Sequence, residues 1–101
     1  MVVVPFPFSY LSSTKRRPAL VIASLTGDDV ILCQITSKSV SDNYTIPLLM
    51  SDFVSGTITQ DSNIRPNRLF TADGNIILYQ AGRIKPEKLN EVVNKIIAII
   101  S

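Results

Sequence analysis

The hydrophobic period of this chain changes once, at Pro86, and that switch constrains the fold more than any other feature. Before it, short runs rich in Val, Ile and Leu alternate with turn residues. After it, Leu89, Val92, Val93, Ile96, Ile97 and Ile100 recur at three- and four-residue steps. The first pattern is that of β-strands and the second that of one amphipathic helix, with Pro86 suited to a first helical turn. Strands are expected at Val2–Phe8, Pro18–Leu25, Val30–Thr36, Tyr44–Leu49, Ile64–Phe70 and Ile76–Ile84, and the helix over about 86–100. The Thr26-Gly27-Asp28-Asp29 turn lies at hairpin distance, so the first three strands read as a meander. A small, strongly curved antiparallel sheet or barrel with an appended C-terminal helix fits this order better than an alternating β-α plan. With 101 residues, a single domain over 1–101 is expected.

Composition narrows the function classes. At 46% hydrophobic and 18% charged residues, the chain is expected to build a dense core, and its apolar surplus points to a homo-oligomer. No apolar run approaches the ~18 residues of a membrane span, and the start lacks the basic segment and cleavage site of a secretory signal. A soluble, cytoplasmic protein is expected. One cysteine, Cys33, and no histidine leave no internal disulfide and no soft ligand set, so neither metal nor cofactor is expected. Cys33 reads as a small core filler. Ten Lys+Arg against eight Asp+Glu give a net charge of +2, too mild to signal nucleic-acid binding without knowledge of how the charges are distributed.

Three places carry residues suited to chemistry. In Lys15-Arg16-Arg17-Pro18, the proline restricts the backbone of Arg17 at a loop-to-strand boundary, so its guanidinium can be aimed. In Cys33-Gln34-Ile35-Thr36-Ser37, alternation places Val30, Leu32, Gln34 and Thr36 on one face, which turns from apolar to polar as the strand ends. In Arg65-Pro66-Asn67-Arg68, a second arginine precedes a proline, and the period of two puts Arg65 and Asn67 on one face and Arg68 on the other. Each has a plain structural alternative: a solvated basic loop, a well-packed strand threonine, or surface arginines beside a turn.

Taken together these segments resemble the PemK/MazF toxin family. The resemblance runs through Val3-Val4-Pro5-Phe6-Pro7-Phe8, Lys15-Arg16-Arg17-Pro18-Ala19-Leu20-Val21-Ile22 and Ile31-Leu32-Cys33-Gln34-Ile35-Thr36-Ser37. It continues in the same order through Asp52-Phe53, Ser62-Asn63-Ile64-Arg65-Pro66, Leu69-Phe70-Thr71 and Gly82-Arg83-Ile84. It implies an SH3-like barrel that dimerises, and a ribosome-independent, sequence-selective endoribonuclease of a type II toxin-antitoxin pair. Arg17 then matches the catalytic arginine before proline, Thr36 the threonine after the apolar run, and Arg65 a further active-site arginine of some members. Asn67 stands where some of those members have an acidic residue, and the family usually has a Gly-Asp turn before its first strand, which this chain lacks.

In the implied reaction, single-stranded RNA supplies its own nucleophile, the 2′-hydroxyl, leaving a 2′,3′-cyclic phosphate and a 5′-hydroxyl without metal. Arg17 meets the charge developing on the phosphoryl oxygens, Thr36 adds a hydrogen bond, and Arg65 holds a neighbouring phosphate or assists the leaving oxygen. Lys15, Arg16, Lys38, Asn67 and Arg68 are candidate RNA contacts, and Tyr44, Tyr79 or Phe53 candidate base-stacking rings. Water, a phosphate oxygen, Asp42 and Asp61 remain open as proton acceptors. The resemblance also implies a cognate antitoxin and DNA binding by the toxin-antitoxin complex. Two other readings compete: a nuclease-inactive RNA- or antitoxin-binding member, and a gyrase-poisoning toxin. The gyrase poisons carry a C-terminal Trp-Gly-Ile segment, whereas this chain has no tryptophan and ends Ile97-Ala98-Ile99-Ile100-Ser101.

Overall fold

The computed structural model describes residues 1–6 and 15–101, and of Phe6 and Lys15 the backbone alone. The expectations for Pro7, Phe8 and the loop up to Thr14 lie outside the described residues. Strands β1 (Val2–Phe6), β2 (Lys15–Ser24) and β3 (Asp29–Thr36) form the expected meander. Strand β4 (Ile46–Leu48) and the long strand β6 (Ser62–Asp73) extend the sheet beyond β3, and β7 (Tyr79–Gln80) extends it beyond β1. The resulting order is β4-β6-β3-β2-β1-β7, antiparallel throughout. Strands β5 (Phe53–Gly56) and β8 (Gly82–Ile84) pair separately as a two-stranded ribbon.

The mostly β architecture with one C-terminal helix is as expected, but the sheet does not close into a barrel. The stretch from Ile76 to Ile84, expected as one strand, divides into the end of a 3₁₀ turn (Gly74–Ile76), β7 and β8. Strand β7 joins β1 while β8 leaves for β5, so among the described residues no strand bridges β7 to β4. Both edges are poor templates: β7 has two residues, and β4 has three with Pro47, which lacks an N–H, at its centre. Strand β2 begins three residues earlier than the proline suggested. Lys15, Arg16 and Arg17 are drawn into the sheet by pairing with Phe6, Pro5 and Val4.

Alternation along the strands builds two apolar layers. On one face Leu20, Cys33, Ile35 and Ile64 pack with Ile46 and Leu48 beneath helix α1 (Pro86–Ile100), which contributes Leu89, Val92 and Ile96. Burying a side chain such as Val92, fully enclosed here, stabilises the fold by on the order of 2 kcal/mol. Lys88 fixes the helix laterally: its Nζ donates to the Pro47 carbonyl at 3.2 Å and pairs with Asp52 at 3.7 Å. On the other face Val2, Val4, Ala19 and Leu32 are buried, flanked by the half-buried Val21, Val30, Phe70, Ile76 and Ile77. No helix among the described residues is long and apolar enough to cross a membrane.

Candidate active site

The ladder between β2 and β3 runs from Ser24↔Val30 to Ala19↔Gln34 and stops. Beyond that rung β2 stays with β1 as far as Phe6↔Lys15, while β3 stays with β6 through Thr36↔Asn63. The sheet therefore forks, and a cleft of about 720 Å³ occupies the fork. Pro18, the first residue of β2 past the last rung, has no backbone N–H to offer a ladder. The arginine-proline pair singled out in the sequence thus lies where the sheet splits.

Arg17 and Thr36 each stand two residues past the last rung, one on each arm of the fork. They share the strand face of Ala19 and Gln34. Both line the cleft, Arg17 exposed and Thr36 half-buried. The Thr36 hydroxyl oxygen accepts the Lys38 backbone N–H at 3.1 Å, which fixes the oxygen and leaves the hydroxyl proton to donate outward. The Lys38 carbonyl in turn accepts from Asn63 Nδ2 at 3.1 Å. The turn that presents Lys38 to the cleft is held from both sides.

Arg65 arrives by a different device. Along β3 the partner of Cys33 is Leu69, but the partner of the next residue, Gln34, is Arg65, so residues 66–68 are extra on β6. This three-residue bulge is marked by Pro66, which is buried, while Asn67 and Arg68 are exposed. The expected shared face of Arg65 and Asn67 does not exist, because the bulge breaks the period of two between them. Arg65 lines the cleft; Asn67 and Arg68 do not. The Arg65 carbonyl accepts the buried Cys33 thiol at 3.0 Å. Desolvation pushes that thiol's pKa up to about 12, so Cys33 is neutral at ordinary pH.

The cleft is cationic. Arg16, Arg17, Lys38 and Arg65 line it, and no aspartate or glutamate is among the described lining residues. Lys15 lies at the start of β2, its side chain outside the described residues. Of the three aromatic candidates only Tyr79 borders the cleft, half-exposed on β7; Tyr44 lies away from it and Phe53 packs on the core. Asp61 is exposed outside the cleft. Asp42 is outside it too, and its carboxyl pKa is held below the usual carboxylate range. The main cause is the Tyr44 N–H, then the Thr45 hydroxyl and N–H, with the Arg65 charge a smaller contribution. A carboxylate so held is a weak proton acceptor.

The far wall, Thr57, Thr59, Gln60 and Ser62, was not foreseen. It carries no motif: Ile58, buried in the main core, anchors the irregular segment that carries Thr57, Thr59 and Gln60, while Ser62 is placed by its pairing with Leu48 at the start of β6.

A family model described as "PemK-like, MazF-like toxin of type II toxin-antitoxin system" matches residues 1–100. Among solved structures, the chain is similar to a Mycobacterium tuberculosis toxin, MazF-mt6, at 16% identity and a TM-score of 0.72, covering 99% of this chain and 96% of that one. It is also similar to an endoribonuclease in complex with its cognate antitoxin from Mycobacterial species, at 10% identity and a TM-score of 0.69, covering 98% and 90%. No curated protein sequence matches the chain.

Proposed function

The chain belongs to the PemK-like, MazF-like toxin family of type II toxin-antitoxin systems, and on that premise we propose that it is a metal-independent endoribonuclease that cleaves single-stranded mRNA. The observation that carries this reading is the convergence of Arg17, Thr36 and Arg65, from three different strands, on one cleft lined by four cations and no described carboxylate.

Such a cleft suits a reaction whose nucleophile comes from the substrate. The 2′-oxygen attacks the adjacent phosphorus, the P–O5′ bond breaks, and a 2′,3′-cyclic phosphate and a 5′-hydroxyl result. The proton lost from the 2′-hydroxyl is balanced by the one gained by the 5′-oxygen. Negative charge grows on the non-bridging oxygens meanwhile, and the planar donors of Arg17 match it in charge and geometry. Thr36 donates one further hydrogen bond with its oxygen already oriented by Lys38. Arg65 holds a neighbouring phosphate or assists the leaving oxygen, and Arg16 and Lys38 follow the backbone. Single-stranded substrate is required because in-line attack needs a flexible backbone and unstacked bases can be read.

By likeness to the antitoxin-bound neighbour, a cognate antitoxin is proposed as the protein partner. A homodimer is proposed as well, supported by the half-buried apolar residues that surround Val2, Val4, Ala19 and Leu32 on the sheet face opposite α1. Both belong where mRNA is translated, in the cytoplasm. Asn67 lies outside the cleft, so the amide at that position leaves the cleft's own residues intact, which favours the nuclease over an inactive binding member.

End-labelling of fragments from a long RNA, with and without chelator, tests the reading. Discrete fragments with 5′-hydroxyl ends, unaffected by chelator, are expected; 5′-phosphate ends or loss of cutting in chelator overturn it. Thr36→Val keeps the branched shape and removes the donor, and should slow cleavage by about 100-fold.

A further inference from the structure

Among the described residues Arg65 is held at three points, and two of its holders, Cys33 and Asp42, lie outside the cleft lining. Its Cα is paired with Gln34, its carbonyl takes the Cys33 thiol, and its Nη2 lies 3.6 Å from Asp42 Oδ2. Its Nε is buried without a hydrogen-bond partner among the described residues. Only 19% of the side chain is exposed, and 21% of that of Asp42.

The two oxygens of Asp42 face different tasks. Oδ1 accepts the N–H of Tyr44 and the N–H of Thr45, both at 2.9 Å, and the Thr45 hydroxyl at 2.8 Å. These three bonds tie the carboxylate to the turn just before β4, so Oδ2 is the oxygen that faces Arg65. At 3.6 Å the contact is an ion pair longer than a hydrogen bond, so it orients the guanidinium by charge without saturating its donors. The donors on the terminal nitrogens stay available to an anion in the cleft, whereas the buried Nε does not.

We propose that Asp42 is a positioning residue for RNA cleavage, holding the Arg65 guanidinium against the cleft wall with its free donors toward the substrate phosphate. This rests on reading the cleft as the site of RNA cleavage. The carboxylate that looked like a candidate proton acceptor in the sequence takes a different part: it touches no substrate and acts through Arg65.

The substitution Asp42→Asn keeps the shape and an acceptor oxygen for the turn while removing the charge that holds Arg65. It should lower kcat by about tenfold with KM changed by less than about twofold, because a misdirected group costs rate more than binding. In an Arg65→Ala background the same substitution should change kcat by less than about twofold, since the partner it acts through is gone. An equal loss in both backgrounds, or no loss in the native one, overturns the proposal. A readout independent of catalysis is the ¹⁵N-resolved NMR signal of the buried Arg65 Nε–H: Asp42→Asn should shift it, and an unmoved signal counts against the positioning role. Wild-type protein that leaves RNA intact while Asp42→Asn still moves this signal would sink the nuclease reading and leave the Asp42 hold on Arg65 standing.

Discussion

Cys33 illustrates how a side chain takes its meaning from a neighbour distant in sequence. It was expected to fill the core, and it does, fully buried. Yet it sits at the rung where the β3–β6 register slips, and its thiol donates to the carbonyl of Arg65 beside the bulge. The consequence is a pH signature. The unfolded thiol ionises near 9.0, while the folded one keeps its proton to about 12. The group's folded pKa is raised, so its contribution is fully present below the unfolded value and is lost as pH rises toward the folded one. The difference in unfolding free energy between wild type and Cys33→Ala should therefore shrink across that alkaline window. A difference that stays flat in denaturant titrations would contradict the burial of the thiol. At the same scale, Thr36 and Arg17 were legible as candidates for the cleft they line because a proline and a strand end mark them. Asp42 was legible only as a carboxylate, because its proposed role depends on Arg65, which lies far along the chain.

Among the elements, the strands and the helix follow from local periodicity, and the departures come where pairing overrides it. Lys15 to Arg17 read as loop by composition but gain ladder bonds from β1, and β5 was missed because its four residues show little alternation. The bulge at 66–68 had a signal in Pro66, since proline in a long strand marks a bulge or an edge. How many residues it would eject was set by the pairing of Ile64 and Leu69 with β3, not by the segment itself. The β5–β8 ribbon offers a direct test. Gly56 has φ +69°, and a Cβ there would run into the Ala81 carbonyl and lie 2.7 Å from the Gly82 Cα. Gly27 has φ +81° with nothing within 4 Å of its would-be Cβ. Gly27→Ala should cost about 1 kcal/mol from backbone strain alone, and Gly56→Ala about 3 kcal/mol or more because collision with the paired strand is added. Denaturant midpoints measure both; equal losses would mean that the ribbon does not pack as described.

For the molecule as a whole, the formal charge of +2 concealed how charge is arranged. Four of the ten basic residues meet in one cleft, with no described carboxylate on its walls. Binding of 2′-O-methyl RNA, which lacks the attacking hydroxyl, should weaken with salt at a log-log slope of about −2 to −3, as expected when three or four phosphates of a single strand are neutralised. A slope near zero would show that the cleft cations do not hold phosphates. The sequence by itself determined that the chain is mostly β with one terminal helix, and it carried the ordered motifs of the toxin family, because element type and facing are set by short-range period and turn chemistry. It did not determine that the sheet stays open, that β2 and β3 part after Ala19 and Gln34, or that residues 17, 36 and 65 meet at the parting. Those depend on which strands exchange hydrogen bonds and at what register, and only the simultaneous burial of both apolar faces selects one register from the many that local sequence permits.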